Sequence, residues 1–258
     1  MPITIPHVIP GDPLRISAST FVAWKRCPDQ ANAMLRGIYG PDSRPAFLGS
    51  LAHRIFSRHL NRGPIDAEEF DQACREEIGV STLNYKMGGL EIKPSSLSGM
   101  IEEVRGLYDR FVRFPGAGFE GSEVPLAHQT DGGVELVGKV DAIYREDVGG
   151  HRLVDWKTGE LGDPVDQLRF YSLLWALERD EVPVCVEAVS VKTGESHRAH
   201  PTMEELEGVA AEVAAMAAEM RGSWNQGTAL ERRAGPWCRY CPILEECPEG
   251  QAAEALIG

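Results

Sequence analysis

The chain has 258 residues, 43% of them hydrophobic, with a formal net charge of −13 and a pI near 5.0. That is enough apolar material for one sizeable core, while no apolar run approaches the ~20 residues of a membrane span and MPITIPHVIPGD lacks the charged-then-apolar pattern of a signal peptide, so a soluble cytoplasmic protein is expected. The acidic balance excludes broad electrostatic attraction to nucleic acid, although a local basic channel on an acidic body would suffice.

After a proline-rich lead-in, Ile16–Arg36 reads as a helix with Ser17 or Ser19 as N-cap. The Cys27-Pro28 pair should break or restart it, because proline lacks the amide donor and crowds the preceding turn. Gly49–Leu60 is strongly amphipathic, with Leu48, Ala52, Ile55, Phe56 and Leu60 near one stripe and His53 at its edge. From spacing alone such a histidine is more often a core or boundary residue than a ligand. Arg54, Arg58 and Arg62 share a neighbouring face and read equally as phosphate contacts or as a solvated surface. Asp66–Gly79 is a further helix, Val80–Gly99 an irregular connector, and Ser98–Phe114 a long helix. Residues 66–114 are therefore expected to form a helical insertion flanking a substrate channel.

Glu123–Ala127 opens the strands, with Glu123 a plain edge-strand carboxylate on its own merits. Gly133–Val140 nearly spells a phosphate-binding P-loop. It fails because Val140 replaces the required Ser or Thr and strand residues follow where a helix should begin, so no nucleotide site is expected.

The most informative stretch runs from Gly138 to Tyr171. Val, Ile and Tyr around Asp141 read as a buried strand, Glu146–Gly150 supplies turn chemistry, and His151–Lys157 reads as the returning strand. A hairpin folded about Val148 pairs position 141 with 155, placing two carboxylates opposite each other with Asp155 and Lys157 on one face. Facing carboxylates repel unless a cation lies between them, and oxygen ligands suit Mg²⁺ or Mn²⁺. Alone, a D-x-K on a strand is usually a solvated ion pair. Asp163-Pro164 then starts a helix, with Asp as N-cap and Pro at N1, that stacks Gln167 and Tyr171 on one face.

Downstream, Pro183–Lys192 is a strand, Lys192–Glu195 a turn and Ser196–His200 a short return strand. Thr202–Glu205 is a capping box opening a helix to about Trp224. The tail carries Cys238, Cys241 and Cys247 as C-x₂-C-x₅-C, one thiolate short of four, and Cys27 shares the Cys-Pro pairing of Cys241 and Cys247. Such a set in a cytosolic chain points to metal rather than disulfide, and thiolates alone do not separate Zn²⁺ from an iron–sulfur cluster. Cys74 and Cys185 fit no spacing and read as buried thiols.

The order GKVD, VDWKTG, QLRFY resembles the nuclease domain of the PD-(D/E)XK superfamily, closest to the RecB-like exonucleases and the CRISPR-associated iron–sulfur exonucleases. The resemblance implies an α/β fold: a restriction-endonuclease-like mixed central sheet flanked by helices, in a single domain spanning 1–258. It places the catalytic core at about 120–200 and a helical iron–sulfur cap joining about 16–36 to 230–250. It implies His53, Asp141 and Asp155 as ligands of Mg²⁺ or Mn²⁺, with the Trp156 carbonyl as a further candidate ligand. Lys157 becomes the catalytic lysine, and Gln167 and Tyr171 the accessory pair holding the substrate strand or the lysine. Glu123 falls where related nucleases border the active site. Cys27, Cys238, Cys241 and Cys247 become the ligands of a [4Fe–4S] cluster, with zinc the less favoured metal. The implied activity is metal-dependent hydrolysis of DNA phosphodiesters from single-stranded ends, in repair, recombination or phage- and CRISPR-related processing. A helicase or a CRISPR-adaptation complex is the kind of partner it implies. The alternative is a non-catalytic DNA-binding or assembly module retaining fold and cluster.

Overall fold

The structure, a computed structural model, describes residues 3–257. Six strands, β1 (Leu14–Ser17), β2 (Phe119–Gln129), β3 (Val134–Arg145), β4 (His151–Lys157), β5 (Cys185–Ser190) and β6 (Ser196–Ala199), form one mixed sheet. β3 pairs antiparallel with β2 along one edge. On its other edge it pairs in parallel with β1 over Val134–Val137 and antiparallel with β4 over Ala142–Arg145. Beyond β4 the order continues through parallel β5 to antiparallel β6. The expected mixed sheet flanked by helices is what forms.

Helices cover both faces. On one, Phe21 of α1 (Ala18–Arg26), Phe170 of α7 (Val165–Arg179) and Val213 of α8 (Met203–Gln226) pack with Ile16, Leu136 and Val186 of the sheet. On the other, Phe56 of α3 (Arg44–Arg62), Phe70 of α4 (Phe70–Gly79) and Phe111 of α6 (Pro94–Phe111) pack with Tyr144, Trp156 and Val189. Phe56 and Phe111 stack with centroids 4.1 Å apart, fixing the far side of α3, the helix that carries His53. The remaining helices are α2 (Pro28–Leu35), α5 (Leu83–Gly89) and α9 (Pro248–Ile257).

The arrangement departs from sequence expectation at three places. β1 takes Ile16 and Ser17 from the expected helix and Leu14 and Arg15 from the lead-in: Leu14 and Ile16 are buried in alternation with Arg15, a two-residue period too short to stand out beside the helix that follows. The helix then starts at Ala18 with Ser17 accepting the Thr20 amide, and breaks at Cys27 as proline chemistry requires. The stretch 80–99 is not an irregular connector, since α5 forms within it and α6 begins at Pro94, a residue suited to a first helical turn. At the start of α7 the cap is one residue late: Pro164 is the N-cap, and Asp163 Oδ1 instead accepts the Val165 amide at 3.1 Å as a local turn.

The sheet is split where the site forms. β3 leaves β1 after Val137 and joins β4 only at Ala142, so one edge of residues 138–141 has no strand beside it. Side-chain alternation also breaks there. Leu136 and Val140 lie in the first core, but Ala142 and Tyr144 lie in the second. An unbroken strand would keep these even-numbered positions on one face.

Candidate active site

Asp141 sits at that break. One residue beyond the last β3–β4 pair, Ala142–Val154, it comes opposite Asp155, and its Oδ2 accepts the Trp156 amide at 2.8 Å. Its Oδ1 lies 3.1 Å from His53 Nδ1, delivered by α3. Gly49 lets α3 approach closely, since a Cβ there would stand 3.1 Å from Thr158 Oγ1 at the end of β4. On the other edge of β3, the pairs Ser122–Ala142 and Val124–Val140 leave Glu123 opposite Asp141. Glu123 has a left-handed φ of 54°, uncommon for a side chain with a Cβ. His53, Glu123 and Asp141 each offer an atom within 4.8 Å of the others, close enough to share one ion. Glu123 is the member that residue chemistry alone left as an edge-strand carboxylate, because a left-handed backbone inside a strand leaves no trace in composition.

Asp155 is 8% exposed. Its Oδ1 accepts from Gln167 Nε2 at 3.0 Å, and Gln167 Oε1 in turn accepts from Lys157 Nζ at 2.7 Å. Lys157 Nζ is also 2.7 Å from Asp155 Oδ2 as an ion pair, so the one lysine serves both the carboxylate and Gln167. Burial pushes the Asp155 carboxyl above the ordinary aspartate range. Lys157 pulls it back, and Asp141 pushes it up again. For His53, burial disfavours the charged ring, but Asp141 and then Glu123 and Asp155 outweigh it, raising its pKa. Glu123 is paired with Lys139 and Asp155 with Lys157, so the three carboxylates are gathered with two lysines and an imidazole whose pKa they raise. The O/N donor set suits a hard divalent cation such as Mg²⁺ or Mn²⁺, so these residues fit the ion.

Tyr171 stands one turn after Gln167 on α7 and packs against β3 at Gly138. A Cβ at 138 would lie 3.0 Å from the Tyr171 ring and 2.9 Å from Leu174. Burial holds the Tyr171 phenol well above its usual pKa, so it is a neutral donor at any working pH. Gly138→Ala is expected to lower stability by about 1–3 kcal/mol through overpacking, read as an earlier urea midpoint.

Two clefts flank this centre. One of about 430 Å³ is lined by His53, Glu123, Lys139, Asp141 and Tyr171. The other, of about 610 Å³, opens from Lys157 and Gln167 toward the tail. Arg54 and Arg58 face Glu77 and Glu76, at 3.7 and 2.8 Å, so much of that basic face is neutralised within the fold. The P-loop-like run Gly133–Val140 lies mainly in β3.

Cys27, Cys238, Cys241 and Cys247 line one small cavity between α2 and the 3₁₀ turns of the tail. Three of them accept backbone N–H donors: Cys27 from Arg233 at 3.5 Å, Cys238 from Gly235 at 3.4 Å, and Cys247 from Gly250 at 3.3 Å. Among the described residues no three of these sulfurs lie within 4.8 Å of one another. Cys74 and Cys185 lie apart as buried free thiols, with burial pushing the Cys74 thiol up to about 12. No described helix is long and apolar enough to cross a membrane.

A family model of the PD-(D/E)XK nuclease superfamily matches residues 15–248. No curated protein matches the chain in sequence. Among solved structures, a Eubacterium rectale protein provisionally described as an exonuclease aligns over 90% of this chain and 87% of its own, with a TM-score of 0.52 and 14% identity. The structure of SSO0001 aligns over 94% of this chain and 88% of its own at 16% identity, with a TM-score of 0.40 that carries no argument. At such identities the likeness shows the fold alone.

Proposed function

The chain belongs to the PD-(D/E)XK nuclease superfamily, and from that premise we propose that it is a divalent-metal-dependent deoxyribonuclease that degrades single-stranded DNA from its ends. The observation that carries this reading is the gathering of His53, Glu123 and Asp141 within ligand distance of one another, with the buried Asp155 carboxylate opposite Asp141 and Lys157 beside it. Such a cluster destabilises an empty fold, which is the mark of a site shaped for a ligand rather than for stability. A non-catalytic module would gain from losing it.

We assign His53, Asp141 and Asp155 as the ligands of Mg²⁺ or Mn²⁺, and add Glu123 on the strength of its placement opposite Asp141. When bound, the ion would polarise a phosphoryl oxygen and acidify a water so that it attacks near neutral pH. Lys157 orients that water and offsets charge on the phosphorane-like transition state. Gln167 fixes the lysine by bridging it to Asp155, and Tyr171 offers a neutral O–H to the substrate strand.

We assign the four-cysteine cavity to a [4Fe–4S] cluster acting as a staple between the start of α2 and the tail. Backbone N–H groups donate to three of the sulfurs, the kind of contact that tunes cluster-ligating sulfurs.

The exonuclease reading is tested with end-labelled linear and covalently closed circular single strands of equal length in Mn²⁺. The linear strand is expected to disappear at least ~10-fold faster, the gap a requirement for an end would open. Equal rates would mark an endonuclease.

A further inference from the structure

The 610 Å³ cleft beside Lys157 and Gln167 runs along α1 and α2 to the cysteine-bearing tail, and its size is that of a ligand cleft. Two tyrosines far apart in sequence line it: Tyr39, 66% exposed, and Tyr240, 77% exposed. Their backbones adjoin, for a Cβ on Gly40 would lie 3.6 Å from the Tyr240 carbonyl oxygen. The Arg239 guanidinium lies 6.0 Å from the Tyr240 ring centroid, a cation–π neighbour that leaves most of the tyrosine in water. Single exposed aromatics are unremarkable, but two on one cleft that opens onto a catalytic lysine are not scatter.

The polar lining fits the same ligand. Arg26 makes no ion pair among the described residues, whereas its acidic neighbours across the cleft are engaged. Glu160 pairs with Lys192 at 2.8 Å, and Asp163 Oδ1 accepts the Val165 amide. The cleft thus offers aromatic faces and a guanidinium with no ion-pair partner among the described residues, in the same cavity as Lys157.

Resting on the nuclease reading above, we propose that this cleft is a base-stacking subsite: Tyr39 and Tyr240 stack on unpaired bases while Arg26 meets a phosphate of the same strand, which continues to Lys157. Stacking on aromatic faces is indifferent to sequence but needs bases that are not already paired and stacked in a duplex, so the subsite selects single strands. It also ties substrate binding to the cysteines, because Arg26 precedes Cys27 and Tyr240 precedes Cys241.

The test is fluorescence anisotropy with labelled oligo(dT) and a labelled duplex, in chelator so that no cleavage intervenes. Tyr39→Ala and Tyr240→Ala are each expected to weaken oligo(dT) binding about fivefold or more. Tyr39→Phe and Tyr240→Phe, which keep the ring face, should bind within about twofold of the parent. Arg26→Gln should reduce the slope of log affinity against log salt by about 0.7, the share of one phosphate on a single strand. Unchanged binding in both alanine variants, losses in the phenylalanine variants as large as in alanine, or equal parental affinity for duplex and oligo(dT) would each overturn the subsite. If the parent cleaves DNA in Mn²⁺ while the alanine variants bind normally, only this subsite falls. If the parent cleaves no DNA with any divalent metal, the nuclease reading itself falls.

Discussion

Asp155→Ala is expected to lose cleavage and Mn²⁺ binding together, while Lys157→Ala binds metal and DNA like the parent and cleaves at least ~10²-fold more slowly. The difference follows from what each side chain touches. Asp155 is a buried carboxylate held by Gln167 and Lys157, and removing it takes away both a proposed ligand and the negative charge that would draw a cation in. Lys157 is held by Gln167 at 2.7 Å and carries a positive charge, so it cannot be a ligand and its loss leaves the acidic set intact. A second readout separates this from simple misfolding. In chelator, Asp155→Asn should melt higher than the parent, because a neutral amide relieves the repulsion between buried carboxylates. In saturating Mn²⁺ the order should narrow or reverse, since only the parent gains the full linkage stabilisation of a bound ligand. Titration calorimetry with Mn²⁺ and single-turnover cleavage measure the two halves. Wild-type cleavage in either variant, or full metal affinity in Asp155→Ala, would remove these residues from the site.

The hairpin was legible because its determinants are local. Alternating apolar residues, a Gly-Gly turn and a two-residue period suffice to place Asp141 opposite Asp155, and the structure sets them so, one step past the regular ladder. Helical spacing likewise put Gln167 and Tyr171 on one face of α7. What stayed hidden was long-range or conformational. That β1 and β4 share one edge of β3, leaving residues 138–141 bare, depends on a parallel pairing between positions 14–17 and 134–137 that no local pattern encodes. The resemblance put Glu123 at the border of the site, but its left-handed φ inside a strand was not legible, nor was the gathering of Tyr39 with Tyr240 from two hundred residues apart. The pairing of Arg54 and Arg58 within the basic stripe of α3 was not legible, because their partners Glu76 and Glu77 lie on α4.

Cys27→Ser is expected to bleach the brown absorbance of an anaerobically purified chain and to lower iron per chain, while Cys74→Ser leaves iron unchanged. Cys27 ends α1 and caps α2, and the tail segment bearing Arg232 and Arg233 folds back over it. Were Cys27 only a buried thiol, a hydroxyl in its place would cost about 1–3 kcal/mol and touch nothing else. As a ligand it closes a loop from position 27 to the tail, and its loss frees that tail. The segment Gly227–Gly235 would not fall away at once, because Arg232 still pairs with Asp29 at 2.8 Å and the Asp29 amide still donates to the Glu231 carbonyl at 3.3 Å. Partly exposed pairs of this kind contribute ~1 kcal/mol or less, too little to hold a chain end on their own. Limited proteolysis should therefore cut within 227–235 in Cys27→Ser and spare the same bonds in Cys74→Ser, whose thiol lies in the separate core between α3, α4 and α6. The variant should also bind oligo(dT) more weakly, because Arg26 and Tyr240 lose their common anchor. Full iron in Cys27→Ser, or zinc in place of iron in the parent, would overturn the cluster assignment. Neither result would disturb the metal site proposed at His53, Glu123, Asp141 and Asp155, whose side chains come from α3 and the sheet rather than from the tail.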